Sequence, residues 1–395
     1  AAEESEAEVL QTDAATSSAA ITQEDTLDAR GLIRQRGESN QAAIANLNSW
    51  YTNAVVRQRG SDLIASITQT NVSDSSRARI VQVGDSETAT IEQSGAYLSR
   101  AIITQRGVLN AASVLQFITD GARAEIRQTG DNNDAFIVQT DGVSDSSARI
   151  FQSGDYNLAQ IDQYNAAADS VAYIEQSGND NLALLTQGGE FDFASIYQSG
   201  DVNSATVDQS LGGDNEAHID QPGFSNIAEI QQIASYDGYA EILQAGSDND
   251  AYIFQEGEFN SAVINESGNA NLAETEQLGI NNIASTVQSG NGNIADIDQW
   301  GELNEALIAQ AGNFNEAVIF QDGSDNLAEI DQSGDHSYAD ILQEGFGNDA
   351  LINQVGTGTA TALNEAYITQ IGESHLATIT QAGGAGNYAD IFQAN

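Results

Sequence analysis

Residues 310–332 read QAGNFNEAVIFQDGSDNLAEIDQ, and a cut at Gln321 leaves two halves that match. The first carries Gln310, Gly312, Asn315, Ala317, Ile319 and Gln321; the second repeats Gly323, Asn326, Ala328, Ile330 and Gln332 at the same spacing. Asn, Ala, Ile and Gln fall on every second position, which is the period of a β-strand. The positions between them mix Asp, Glu, Ser and Thr with some apolar residues such as Val318 and Phe320, so one face turns inward and the other is wet. Gly falls two residues after Gln, where a chain reversal calls for a residue free to take positive φ. Each half is therefore a strand followed by a turn. Gly290, Gly301, Gly312, Gly323 and Gly334 are expected at such corners, and the only proline, Pro222, falls in another, Gln221-Pro-Gly.

The same sentence runs through the chain. Gln recurs from Gln11 to Gln393, usually every 11 to 13 residues, and Asn46 and Glu266 stand in two of the 34 slots. From Gln35 to Gln255 steps of 11 alternate with steps of mostly 12 or 13, so the true unit is a pair of half-repeats, 17 in all. An 11-residue period also suits a right-handed coiled coil, but Gly at nearly every eleventh position and an i, i+2, i+4 pattern exclude a helix. The Leu-x-x-Leu-x-Leu frame of leucine-rich repeats is absent.

A strand–turn–strand–turn unit cannot bury its own inner face, whereas stacked units can. The expected fold is all-β, a β-solenoid of about 17 rungs in which each strand pairs in parallel with its equivalent about 4.8 Å away. Like residues then form columns. Gln152, Asn157, Gln163, Gln288, Asn293, Gln299, Gln310, Asn315, Gln321, Asn326, Gln332, Gln343, Asn348 and Gln354 are expected to bond side-chain amide to side-chain amide along the axis, which satisfies polar groups that are costly to bury unpaired. Ala317, Ile319, Ala328 and Ile330 represent the thin apolar core. Residues 1–18 are the most degenerate, although Ala7–Gln11 fits the frame, and 19–395 form the repeat body. Up to about Gln187 one of the two turns is long, beyond Gln198 both are mostly short, and a 16-residue step from Gln354 to Gln370 marks a bulged loop.

Composition narrows the function. Without Cys there are no disulfides, thiolate metal sites or Cys nucleophiles. Without Met, Ala1 reads as the start of a chain from which a secretory signal was removed, or of an edited one. Net charge is −46; all 12 basic residues are Arg and lie between Arg30 and Arg149. Residues 1–149 hold 20 acids and so carry −8, leaving −38 for the rest. Such a surface repels nucleic acid and anionic membrane, and no apolar run approaches the roughly 18 residues of a membrane span. Neither nucleic acid binding nor membrane insertion is expected. Hydrophobic residues at 40%, held at fixed positions, are not the composition of a disordered acidic tail.

Repeated across the chain from about residue 19, the string Gln-x-Gly-x-x-Asn-x-Ala-x-x-x-Gln resembles the repeat of curlins, the subunits of bacterial curli. It stands as Gln152, Gly154, Asn157, Ala159 and Gln163, and again as Gln288, Gly290, Asn293, Ala295 and Gln299. The resemblance implies a secreted, extracellular protein, exported unfolded through an outer-membrane curli secretion pore and nucleated by a minor subunit. It implies a homopolymer, a functional amyloid fibre of biofilm matrix and cell adhesion. The chain departs from small curlins in having many more repeats and in lacking their frequent Ser at the strand start.

The residues themselves point to polymerisation. A soluble solenoid blunts its end rungs with polar caps, whereas a complete inward strand, with Ala389, Ile391 and Gln393, is followed here by only two residues. This strand is the expected polymer edge. Like charges stacked about 4.8 Å apart repel by roughly 1 kcal/mol in water, so salt or divalent cations should speed assembly. No cofactor and no dedicated metal site are expected, only diffuse association of Ca²⁺ or other cations. His218, His336 and His375 lie on different rungs, and the acidic loops 130–134 and 246–250 lack the Gly-Gly-x-Gly-x-Asp frame of calcium β-rolls. Paired acids such as Glu329 and Asp331 follow from composition, and no enzymatic activity is expected. Phe151, Tyr197, Phe254, Phe320 and Phe392 face outward, where they cover neighbours or support bundling. The alternative function is a monomeric secreted solenoid, a calcium-binding adhesin stalk or an ice-binding protein; no outward Thr-x-Thr array and no head domain support it.

Overall fold

The computed structural model describes residues 5–73, 75–165 and 167–395. The described chain is all-β, with no helix; Ala1, the expected processed start, lies outside it. Thirty-four strands, one per slot, run from β1 (Glu6–Thr12) to β34 (Tyr388–Ala394) and make seventeen strand–turn–strand pairs. They fall into two compact units, Ala1–Val202 and Asn203–Asn395. Each unit is a β-solenoid whose odd-numbered strands form one parallel sheet and whose even-numbered strands form the other.

Register is set residue by residue. Between β27 (Glu305–Gln310) and β29 (Leu327–Gln332), Ala306 lies beside Ala328, Ile308 beside Ile330 and Gln310 beside Gln332. Between β28 (Glu316–Ser324) and β30 (Ser337–Phe346), Ala317, Ile319, Gln321 and Gly323 meet Ala339, Ile341, Gln343 and Gly345. A slip of one residue would turn every Ile and Gln to solvent and every acid inward, so the pattern permits one register. Ala317, Ile319, Ala328 and Ile330 are fully buried, and each such Ile contributes about 1.5–3 kcal/mol. The core of a rung is thus two apolar columns from each sheet, flanked by the buried amides.

Two features differ from the sequence expectation. The first rung starts before residue 19: β1 pairs with β3 (Arg30–Arg36), aligning Ala7 with Gly31, Val9 with Ile33 and Gln11 with Gln35. The turns also divide into two kinds. Gly301 and Gly323 take φ of 119° and 129°, as expected, but Gly290, Gly312 and Gly334 do not adopt positive φ. In both kinds a left-handed residue comes two places after the Gly, at Leu303 (57°) and Asp325 (53°) in the first and at Gly292 (63°), Phe314 (55°) and His336 (53°) in the second. The three glycines are required for a different reason, close stacking: a Cβ on Gly290, Gly312 or Gly334 would overlap the carbonyl oxygen of Gly312, Gly334 or Gly356 in the next turn. The 16-residue step folds back through a small antiparallel bridge, Thr359 to Ala362. Its extra residues leave the flanking register intact, with Gln343 on Gln370 and Gln354 on Gln381.

Candidate functional site

The glutamine columns run inside both units. Gln310 donates one Nε2 hydrogen to Oε1 of Gln332 at 2.8 Å and the other to the Ile294 carbonyl at 3.0 Å. Its own Oε1 accepts from Gln288 at 2.8 Å. In the opposite sheet Gln299, Gln321, Gln343, Gln370 and Gln393 form the same chain at 2.9–3.0 Å. Gln332 continues to Gln354 at 2.9 Å. In the first unit Gln152 donates to Gln176 and Gln163 to Gln187, at 2.9 and 2.8 Å. An amide bonded in this way has no unmet donor, which is why Gln can occupy an interior position.

The asparagine columns work differently from the expected amide-to-amide ladder. Asn293 donates Nδ2–H to the Gly312 carbonyl at 2.9 Å, and its Oδ1 accepts the backbone N–H of Asn315 at 3.0 Å. Asn315 repeats this with Gly334 and Ser337, at 2.8 and 2.9 Å. Asn157, Asn326 and Asn348 add a direct amide bond to the preceding Asn at 3.1 Å. One methylene shorter than Gln, Asn reaches the backbone of the next turn and clamps it. The clamp follows directly on the left-handed residue, as at Tyr156–Asn157, Leu303–Asn304 and Phe314–Asn315.

Substituted slots interrupt the columns. Asn46 leaves both of its side-chain polar atoms and Gln69 Oε1 without a partner. Glu266, fully buried and in register with Gln288, accepts from Gln244 at 2.8 Å through Oε2. Its Oε1 and the Oε1 of Gln288 are both unpaired: two acceptors stand where the column needs a donor. Burial, only partly offset by the Gln244 bond, pushes the Glu266 carboxyl up to about 8. Glu87 occupies an Asn slot, is fully buried and is pushed up to about 7 by burial. His375 fills another Asn slot and donates its backbone N–H to Asn348 Oδ1 at 3.1 Å.

At the ends, Ala389, Ile391 and Gln393 are the partly covered inward residues of β34. Among the described residues β34 pairs only with β32 (Asn364–Glu373) and β1 only with β3. Gln393 Oε1 accepts from Gln370 and its Nε2 reaches the Leu376 carbonyl at 3.1 Å. The terminal strand therefore presents the same inward residues as the strands inside the array.

The outer surface carries three further patterns. Aromatics stack from rung to rung, as in Phe151–Tyr173–Tyr197, with ring centroids 5.5 and 5.4 Å apart, and Trp300–Phe320 at 5.0 Å. His218 bonds Glu216 at 2.7 Å and His336 lies against Phe314; among the described residues no three His, Cys, Asp or Glu side chains group to hold a metal. The third pattern escaped the sequence reading. All twelve arginines lie on six odd-numbered strands of the first unit: β3, β5 (Asn53–Ser61), β7 (Arg77–Asp85), β9 (Arg100–Val108), β11 (Arg123–Asp131) and β13 (Ser147–Ser153). Their segregation was present in the sequence as the parity of the slots, but it acquires meaning only once odd and even strands are known to form separate sheets.

Comparison with protein families gives four segments similar to the Curlin associated repeat, at residues 99–130, 144–189, 192–223 and 301–334. These segments hold strands of both units. No curated protein matches the chain.

Proposed function

The chain is a curlin-like repeat protein, and on that premise we propose that it is the structural subunit of an extracellular, curli-like amyloid fibre. Subunits add end to end, the outer edge of β34 in one copy pairing with the outer edge of β1 or β2 (Ser18–Glu24) in the next. The observation that carries this reading is the identity of the edge and the interior: Ala389, Ile391 and Gln393 repeat the Ala, Ile and Gln columns, so an incoming strand meets the surface that every internal strand already covers. An unpaired edge of this kind templates further strands, and the stacked amides extend with each added rung.

The family is structural and non-enzymatic, and extracellular or on the cell surface in general. A role in biofilm matrix and adhesion, and dependence on a nucleating subunit and a secretion pore, come with this reading. So does diffuse cation association, which screens the acidic outer face. Seeded elongation tests the proposal. Ile391→Arg with Gln393→Arg places two charges on the proposed growing edge and leaves the internal rungs intact. The expected result is elongation slowed at least about tenfold, since a charge buried without a partner costs well over 1.4 kcal/mol. Elongation at the wild-type rate would show that growth does not pass through β34.

A further inference from the structure

The six arginine-bearing strands present twelve arginines against three acids, Asp85, Glu125 and Asp131, a local balance of +9 on a chain of net −46. The even-numbered strands of the same unit carry no Arg. Internal pairing uses little of this charge. Arg30, Arg34 and Arg36 make long, exposed contacts of 3.6–4.0 Å to Glu6, Glu8 and Asp13, and Arg127 pairs with Glu125. Among the described residues no ion pair holds Arg57 or Arg59, both exposed. In register, Arg34 lies beside Arg57 and Arg36 beside Arg59: four guanidinium groups in a two-by-two array.

The second unit carries the opposite array. It holds 30 acids and neither Arg nor Lys. On β24 (Leu272–Ile280) and β26 (Ile294–Glu302), Glu274 lies beside Asp296 and Glu276 beside Asp298, all on the outer face. Both arrays are built on the same lattice, two residues along a strand and one rung across, about 7 Å by 4.8 Å. Guanidinium and carboxylate groups on matching lattices can pair bidentately without either backbone adjusting. The crowding of the acids is itself a cost that an arriving cation removes: burial, then Asp296, Glu276 and Glu274, push Asp298 up to about 6.

We propose that copies of this chain associate side by side, the arginine array Arg34/Arg36/Arg57/Arg59 of one copy docking on the acidic array Glu274/Glu276/Asp296/Asp298 of another. A second copy fits better than a foreign polyanion because every copy brings one array of each sign, and a polyanion would leave the acidic array unmatched. At about 0.1 M salt the net charge is screened beyond about 10 Å, while pairs in contact are screened much less. In the fibre reading this contact bundles neighbouring filaments, but the contact itself does not require end-to-end growth.

Sedimentation velocity of the soluble chain tests the proposal. Wild type should associate at about 0.1 M salt and separate at about 1 M. Arg57→Glu with Arg59→Glu, and separately Glu274→Arg with Glu276→Arg, should each weaken association by about 100-fold or more. An equimolar mixture of the two variants should associate again, because the intact acidic array of one then meets the intact arginine array of the other; a folding defect would not be rescued by mixing. Wild-type association in either variant alone, or no rescue in the mixture, overturns the proposal. So does a wild type that stays dispersed at both salts while binding polygalacturonate through Arg57 and Arg59, which would make the face a polyanion site. Fibre growth followed separately by thioflavin fluorescence distinguishes the two readings. Association without fibres breaks the fibre reading and supports this interface; fibres without association do the reverse.

Discussion

The two units are built from the same half-repeat and spend its free positions differently. In the first unit the nine-residue strands are odd-numbered, as in β5, β7, β9 and β11; in the second they are even-numbered, as in β22 (Asp250–Glu258), β24, β26 and β28. The first unit holds every arginine and the second none. The inner columns barely change between them. The interior accepts Ala, Ile, Gln and Asn because stacking dictates them, whereas the outer positions are free to carry charge of either sign. A substitution should therefore be costly according to its column, and its pH or salt dependence should follow its unit.

The largest effect is expected where stacking is tightest. Gly312→Ala forces a Cβ into the Gly334 carbonyl and should cost on the order of 4 kcal/mol. Gly384→Ala meets nothing within 4 Å and should stay within about 0.5 kcal/mol. Chemical denaturation of the two variants measures the difference; equal costs would remove close stacking as the reason for Gly.

Next is pH, through the buried acids. Glu266 is raised from an ordinary 4.5 to about 8, so the folded state holds its proton more tightly than the unfolded state does. The associated stability is fully present below about pH 4.5 and is lost as pH rises to about 8, on the order of 4 kcal/mol in all. Glu87, raised to about 7, gives the first unit a smaller loss in the same direction, complete about one pH unit earlier. A protonated Glu266 supplies the donor that Gln288 Oε1 lacks. Glu266→Gln should therefore flatten the pH dependence of the second unit and leave that of the first unchanged, as read by hydrogen exchange across each. An unchanged profile in the second unit would contradict this.

Repair of the other break is a smaller test. Asn46→Gln in the first unit should offer Gln69 Oε1 its missing donor and stabilise by about 1 kcal/mol, measured by thermal unfolding. Smallest of all, Arg30→Ala should change stability by less than about 0.5 kcal/mol, because its contact to Glu6 is exposed.

Much of this was legible in the sequence, for identifiable reasons. The alternation of Asn315, Ala317, Ile319 and Gln321 specifies a strand and its inner face, and the pairing of slots specifies the rung. The corner residue was not legible: which residue turns left-handed depends on how one turn stacks on the next, so Phe314 and His336 take a conformation their side chains disfavour while Gly312 does not. The role of Asn was half legible. Its column is visible as spacing, but its partner, the Gly312 carbonyl for Asn293, belongs to another rung. Glu266 was visible as a substituted slot; that it faces a second unpaired acceptor needed the register.

In the proposed fibre this ladder continues from one molecule into the next. X-ray diffraction from oriented fibres tests it most directly. Rungs that stack along the direction of growth should give a sharp reflection at about 4.8 Å on the meridian. The same reflection on the equator, or a solution that stays at the 41.6 kDa of a single chain and yields no fibres, would contradict it.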